Sequence, residues 1–317
     1  MSAGFPQPSA RLRPIFSVWL TGQLDGHTQL AEGGYVPETA QDSCRMPPAV
    51  AAHAIATYTH PGDTILDPDC GAGTVLTEAL RSGRHAIGLT GQPRWWSVAR
   101  ANVTAAKYDG AALDGMVLES PLASGTARHP ELSGRISLIL TALRSTGSFS
   151  MSGQTCGGET TPDDPAARLS RTLTECRPLL RPGGHVIVTV QPRRRSGYRL
   201  DLTGAVSEAG MTVGLIPADR CIALLAELRG DRLIVHTSPT QPCSAARHQR
   251  TTGHPTARTV HHDVVVFCAP AEAAQVTTAS VPIPWTGSAS RQLIPCHLPE
   301  ELSLEHERQV AVQRSAA

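Results

Sequence analysis

Asp67, Gly71, Gly73 and Thr74 are the residues whose types and spacing most clearly point to chemistry. They follow the apolar run Thr64 to Leu66, which suits a strand buried on both faces, and they precede helical periodicity at Val75, Leu76, Ala79 and Leu80. Gly71 and Gly73 free the backbone to turn sharply and to approach a ligand closely. A strand that ends in such a turn and runs into a helix is a nucleotide-type binding loop. Asp67 at the strand's carboxyl end and the first amides of the helix face the crevice where doubly wound sheets hold cofactors. A dinucleotide fingerprint asks for a third glycine where Leu76 stands, so the match to NAD is poor. Cys70 has no evident base beside it and reads as a small filler of the turn, not a nucleophile.

The elements that must position this loop are readable as alternating strands and helices. Pro47 and Pro48 open a helix with a stripe of Val50, Ala51, Ala54, Ile55 and Tyr58. Pro61 and Gly62 turn the chain into strand 1, at Thr64. Strand 2 is predicted at 85–90, a helix from Pro93 through Val103, strand 3 within 115–119 and strand 4 at 136–141. A helix over 165–179 leads to strand 5 at 185–190. Further on come a helix near 200–209, strand-like stretches at 211–215 and 232–236, and a last strand at 263–267. Residues 15–20 have strand character, and a polar loop is expected from there to Ser43. This alternation predicts an α/β class with a mostly parallel, doubly wound sheet over 15–269. A disordered arm is expected at 1–14, flexible loops at 146–165 and 238–258, and a largely disordered tail at 270–317.

Composition narrows the partners. The formal charge is +1 and aromatics make up 4% of the chain, so no global field draws in nucleic acid and any such contact must be local. The nearest local patch is Arg193, Arg194 and Arg195, in a loop after strand 5 that opens on the ligand edge of the sheet, where phosphates could be met. The eight cysteines are scattered singly and read as reduced thiols. His261 and His262 point to opposite faces of a strand and no third ligand is spaced for zinc, so no metal is expected. Trp95 and Trp96 read as packing residues. With no signal-peptide core and no apolar run near twenty residues, a cytoplasmic protein is the default.

The stretch Asp67-Pro68-x-Cys70-Gly71-x-Gly73-Thr74 resembles motif I of the S-adenosylmethionine (SAM) dependent amino-methyltransferases, which methylate exocyclic nitrogens of DNA bases and of tRNA guanosine. Tyr35 to Glu38, Arg45 to Ala49, Pro93 to Trp95 with Ala99 and Asn102, Leu180 to Gly184 and His262 to Phe267 extend the likeness to an actinobacterial-type DNA methylase over most of residues 19–269. The resemblance implies a Rossmann-like fold with an antiparallel last strand, SAM as cofactor and a nucleic-acid partner, DNA ahead of RNA. It implies cofactor contacts at Asp67, Pro68, Cys70, Gly71, Gly73 and Thr74, at Thr90 after strand 2, and at Glu119 or Ser120 after strand 3.

Two departures stand out. The family's ribose-binding acid is replaced by Thr90. Its strand 4 motif, an acceptor followed by two prolines and an aromatic, is replaced by Ala142, Leu143, Arg144 and Ser145. Thr141 keeps one hydroxyl and Phe149 offers a displaced aromatic; these two are the catalytic candidates. The expected function is therefore methyl transfer from SAM to a base amino nitrogen, with impaired catalysis. The alternatives are a non-catalytic SAM- or nucleic-acid-binding regulator and a tRNA guanosine methyltransferase.

Overall fold

The apolar runs become strands buried on both faces: β2 (Thr64–Asp67), β3 (His85–Thr90), β5 (Ile136–Ala142) and the inner part of β6 (Leu180–Val190). Successive side chains of a strand point to opposite sides, so a strand can be apolar throughout only where both sides are covered. The structure is a computed structural model that describes residues 14–119, 130–144, 165–195, 198–236, 253 and 257–271. All of these belong to the first of two units, residues 1–274 and 275–317.

With β1 (Val18–Trp19), β4 (Gly115–Glu119), β9 (Ile216–Leu224) and β12 (His261–Cys268), these strands form one sheet of order β1-β9-β12-β6-β5-β2-β3-β4. β12 runs antiparallel to both β6 and β9, and every other pairing is parallel. This is the doubly wound, mostly parallel, Rossmann-like sheet with an antiparallel last strand that the sequence predicts. Helices α2 (Pro48–Tyr58), α3 (Thr74–Arg81) and α4 (Pro93–Tyr108) bury Ala51, Ile55, Leu76 and Val103 on one side, against Ile65, Leu138, Leu140 and Ile187. Helices α5 (Pro165–Cys176) and α6 (Leu202–Thr212) bury Leu169, Leu173 and Val206 on the other, against Leu66, Val186, Val188 and Phe267. Each fully buried Leu, Ile or Val of these layers contributes about 1.5–3 kcal/mol by leaving water.

Several expectations are corrected. The polar loop before Ser43 contains helix α1 (Gly26–Glu32), whose first amides, at His27 and Thr28, donate to the Asp25 carboxylate, and a 3-10 turn at Pro37–Gln41. Residues 211–215 are not a strand: Met211 and Thr212 complete α6, and the strand is β9, beginning at Ile216. Arg232–Ile234 (β11) does pair, but with Glu227–Arg229 (β10) in a separate hairpin outside the main sheet. Arg194 and Arg195 are not plain loop. They form β7, paired antiparallel with β8 (Tyr198–Arg199). The strand character at 15–20 shrinks to Val18 and Trp19. The expected arm up to residue 13, most of both expected loops and nearly all of the expected tail lie outside the described residues.

Candidate functional site

The turn after β2 is shaped by two glycines with left-handed backbone, Gly71 at φ +50° and Gly73 at φ +81°. Gly73 precedes α3 directly, and a Cβ there would lie 2.9 Å from the Ala99 methyl, so its absence lets α4 close on the turn. At Gly71 a Cβ would collide with the Arg144 guanidinium and the Asp42 carboxylate.

Those two residues are the part of the site that the sequence pattern does not reveal. Arg144, just past β5, reaches back over the turn. Its two terminal nitrogens donate to the two carboxylate oxygens of Asp42 at 3.0 and 2.9 Å, and its Nε donates to the Asp69 carbonyl at 3.0 Å. Asp42, at the end of the 3-10 turn, also accepts from the amides of Ala72 (3.0 Å) and Cys44 (3.1 Å). Arg168 of α5 donates to the Arg144 carbonyl and lies 3.7 Å from Asp69. From the other side, buried Asn102 donates to the Ala72 carbonyl (2.8 Å) and the Thr39 hydroxyl (2.7 Å), and accepts from the Val36 amide (2.9 Å). The Gly-rich turn is thus hydrogen-bonded by side chains from three distant segments, at Asp42, Asn102 and Arg144, with Arg168 ion-paired to it from a fourth.

Burial raises the cost of ionising Asp42, but the charge and hydrogen bonds of Arg144 and the two amides outweigh it and hold the carboxyl below its ordinary value. Asp67 is the opposite case. It is fully enclosed at the end of β2, and burial pushes its carboxyl up to about 7 against the pull of Arg144, the Asp69 amide and the Thr141 hydroxyl. The Cys70 thiol is pushed well above its usual range by burial first and by Asp67 second, which agrees with a filler role.

The raised carboxyl has a consequence for stability. Between about 4 and 7 the folded protein holds a proton on Asp67 that the unfolded chain has released, so stability falls as pH rises through that window and is level above it. Asp67→Asn is expected to remove this dependence and to stabilise the protein by about 1–2 kcal/mol at pH 8, with little effect near pH 4. Denaturant midpoints of both proteins between pH 4 and pH 8 measure it; parallel curves would refute the assignment.

The other predicted positions divide. Thr141 lies in β5 with its hydroxyl toward Asp67, and it is buried. Thr90 ends β3, also buried, and sits opposite exposed Glu119 at the end of β4. Pro68 lies in the turn between Asp67 and Asp69. Ser120 and Phe149 lie outside the described residues. The Arg193 carbonyl accepts from the Leu200 amide at 3.0 Å, which anchors the β7–β8 hairpin after β6. Trp95 is buried, and the Trp96 indole donates to the Val117 carbonyl. Among the described residues no group of three His, Cys, Asp or Glu comes together to hold a metal, and no helix is long and apolar enough to cross a membrane.

A buried carboxyl thus lies under a Gly-rich turn at the carboxyl edge of a doubly wound, Rossmann-like sheet. A family model described as DNA methylase matches residues 7–94, which cover β1 to the start of α4 and include the whole turn. No curated protein matches the chain. Among solved structures, a TehB-like SAM-dependent methyltransferase from Corynebacterium glutamicum is similar at 14% identity and TM-score 0.40, covering 76% of this chain and 92% of its own. A SAM-dependent methyltransferase from Methanosarcina mazei is similar at 12% and 0.44, covering 69% and 98%. Magnesium protoporphyrin IX methyltransferase from Synechocystis with bound SAM is similar at 12% and 0.41, covering 76% and 82%.

Proposed function

We propose that this chain is a SAM-dependent methyltransferase of the DNA methylase type, acting on an exocyclic amino nitrogen of a nucleic-acid base, DNA ahead of RNA, with reduced turnover. The observation that carries the reading is the enclosed Asp67 beneath the Gly71–Gly73 turn, in a chain whose residues 7–94 match a DNA methylase family. The residues fit SAM on one further count. Asp67 is a buried carboxyl that stays raised to about 7 despite the Arg144 charge, the Asp69 amide and the Thr141 hydroxyl, a setting in which a further cationic charge favours the ionised form.

Asp67, the backbone of Gly71 and Gly73, Cys70, Pro68 and Thr74 are the residues that hold the cofactor in this reading, with Thr90 and Glu119, and with Ser120 beyond it, on the adjoining strands. Bound SAM supplies a methyl group on a sulfonium, already electrophilic, so the protein's work is positioning. Thr141 orients Asp67 by its hydroxyl, and the straps from Asp42, Arg144 and Asn102 keep the turn in its binding shape. A second reading, a non-catalytic binder, is favoured by Arg144: it packs its guanidinium onto Gly71 where the resembled family places the acceptors that aim the target amine.

A cation favours ionised Asp67, so SAM is expected to bind more tightly as pH rises from 6 to 8, with release of a proton. Isothermal titration in two buffers of different ionisation enthalpy measures both. Tight, pH-independent binding that survives in Asp67→Asn would remove Asp67 from the site, and no binding at millimolar SAM would end the cofactor reading.

A further inference from the structure

A cavity of about 640 Å³ opens at the carboxyl edge of the sheet and is lined by residues that the cofactor reading does not use. Its walls are Arg199 and Leu200 after the β7–β8 hairpin, Asp201 and Thr203 at the start of α6, Arg220 and Ile222 of β9, and His261 and Asp263 of β12. The volume lies within the ~300–1,000 Å³ range of small-molecule sites. Its register fixes where it stands. Asp263 pairs with Val190 and Ile222 with Asp263, while Thr141 pairs with Val188. The cavity is therefore two to three strands from Thr141, about 10–14 Å at the usual strand spacing.

The charges lining it are unequally engaged. Asp201 is committed to capping α6, accepting from the Gly204 amide (2.9 Å) and the Thr203 hydroxyl (3.1 Å). Asp263 is paired with Arg199 at 2.8 Å and has His261 at 3.6 Å. Arg220 is exposed, and the one hydrogen bond described for it goes to the neutral Thr203 hydroxyl. Arg199 spends one terminal nitrogen on Asp263 and is 51% exposed. Two guanidinium groups thus keep donors open to the cavity while both carboxylates are occupied. Beside them, Leu200 and Ile222 present apolar surface that is more than a third exposed.

We infer that this cavity holds a nucleotide of the substrate strand that flanks the methyl acceptor, its phosphate on Arg220 and Arg199 and its base on Leu200 and Ile222. Arginine suits both parts, as a planar fork for phosphate oxygens and a flat surface for a base. The separation from Thr141 corresponds to roughly three to four base steps at 3.4 Å each, so the acceptor and the flanking nucleotide lie on one continuous strand. The inference rests on the nucleic-acid part of the proposed function.

The test is fluorescence anisotropy of labelled 12-nucleotide single-stranded DNA and RNA between 50 and 200 mM salt, with titration of 5′-AMP beside it, on the full chain, Arg220→Glu and Arg220→Lys. Arg220 is exposed, so thermal midpoints are expected to match, and SAM affinity to stay unchanged. Arg220→Glu is expected to weaken oligonucleotide binding about tenfold at 50 mM and to flatten the slope of log affinity against log salt by about 0.7–0.9. Arg220→Lys retains most of the slope, and 5′-AMP competes with the parent protein only. If the parent binds oligonucleotide and Arg220→Glu binds it with the same affinity and slope, the cavity is not on the strand's path, though the nucleic-acid reading stands. If the parent binds SAM but neither oligonucleotide nor 5′-AMP, the nucleic-acid reading and this site fall together.

Discussion

Arg144→Ala is expected to destabilise the protein by about 3–5 kcal/mol, because it leaves the Asp42 carboxylate buried without its counter-charge. Asp42 is 1% exposed and Arg144 13% exposed, so water cannot replace the lost pair at either end. For a domain of this size the loss corresponds to a fall in melting midpoint of roughly 6–20 °C. Because the folded pKa of Asp42 is depressed, the pair's contribution is fully present above the ordinary carboxyl range and is lost as pH falls through the folded value. The difference between parent and variant is therefore largest at neutral pH and closes in acid. Asp42→Asn with Arg144→Met, which removes both charges, is expected to recover more than half of the loss. Thermal denaturation of all three proteins at pH 7 and pH 3 measures this; an Arg144→Ala midpoint at pH 7 within about 2 °C of the parent would show that the pair does not hold the turn.

Methyl transfer to a base amino group is expected to be undetectable, or slower by several powers of ten than in relatives that carry acceptors and an aromatic after strand 4. The amino lone pair is delocalised into the base, so transfer requires acceptors that hold its hydrogens and aim the nitrogen; such positioning supplies roughly 7–11 kcal/mol of barrier lowering. In this chain the nearest hydroxyl, Thr141, is buried and engaged with Asp67, and the nearest polar side chain after it, Arg144, carries donors only. Labelled methyl from SAM, offered with mixed DNA and RNA, is the measurement. Robust incorporation that disappears in Thr141→Ala or in Phe149→Ala would show that displaced groups do the work, and the impaired-catalysis reading would be wrong.

The fold was legible where burial imposes a pattern on adjacent residues. Strands β2, β3, β5 and β6 carry apolar residues on both faces, and prolines 48 and 93 open their helices as expected. Reading failed where burial is one-sided. The first residues of β9, Ile216 to Arg220, are exposed and include a proline and two charges, so no alternation marks them, and the apolar pattern points instead to 211–215, where α6 ends and turns. Helix α1 escaped for a similar reason: Leu30 is its one buried residue, and the only local signal is the Asp25 cap. In the candidate site, Asp67 and the glycines were readable from spacing within one turn. Asp42 and Arg144 were not, since each looks like an ordinary polar residue until the fold puts one against the other.

That same strapping bears on how the site comes into being during folding. The hydrogen bonds that shape the Gly-rich turn close over 102 residues between Asp42 and Arg144, 30 between Ala72 and Asn102, and 66 between Val36 and Asn102. Contacts of long sequence separation form only after intervening chain has been ordered, and the entropy of closing such loops is met late on the folding path. β2 and α3 can form early from local preferences, yet the turn between them acquires its final shape only once the chain has completed β5 and brought Arg144 back across it. A ribosome that has released residues 7–94 has therefore exposed the whole signature of the turn, and Asp42 with it, but neither Asn102 nor Arg144, which complete the lock.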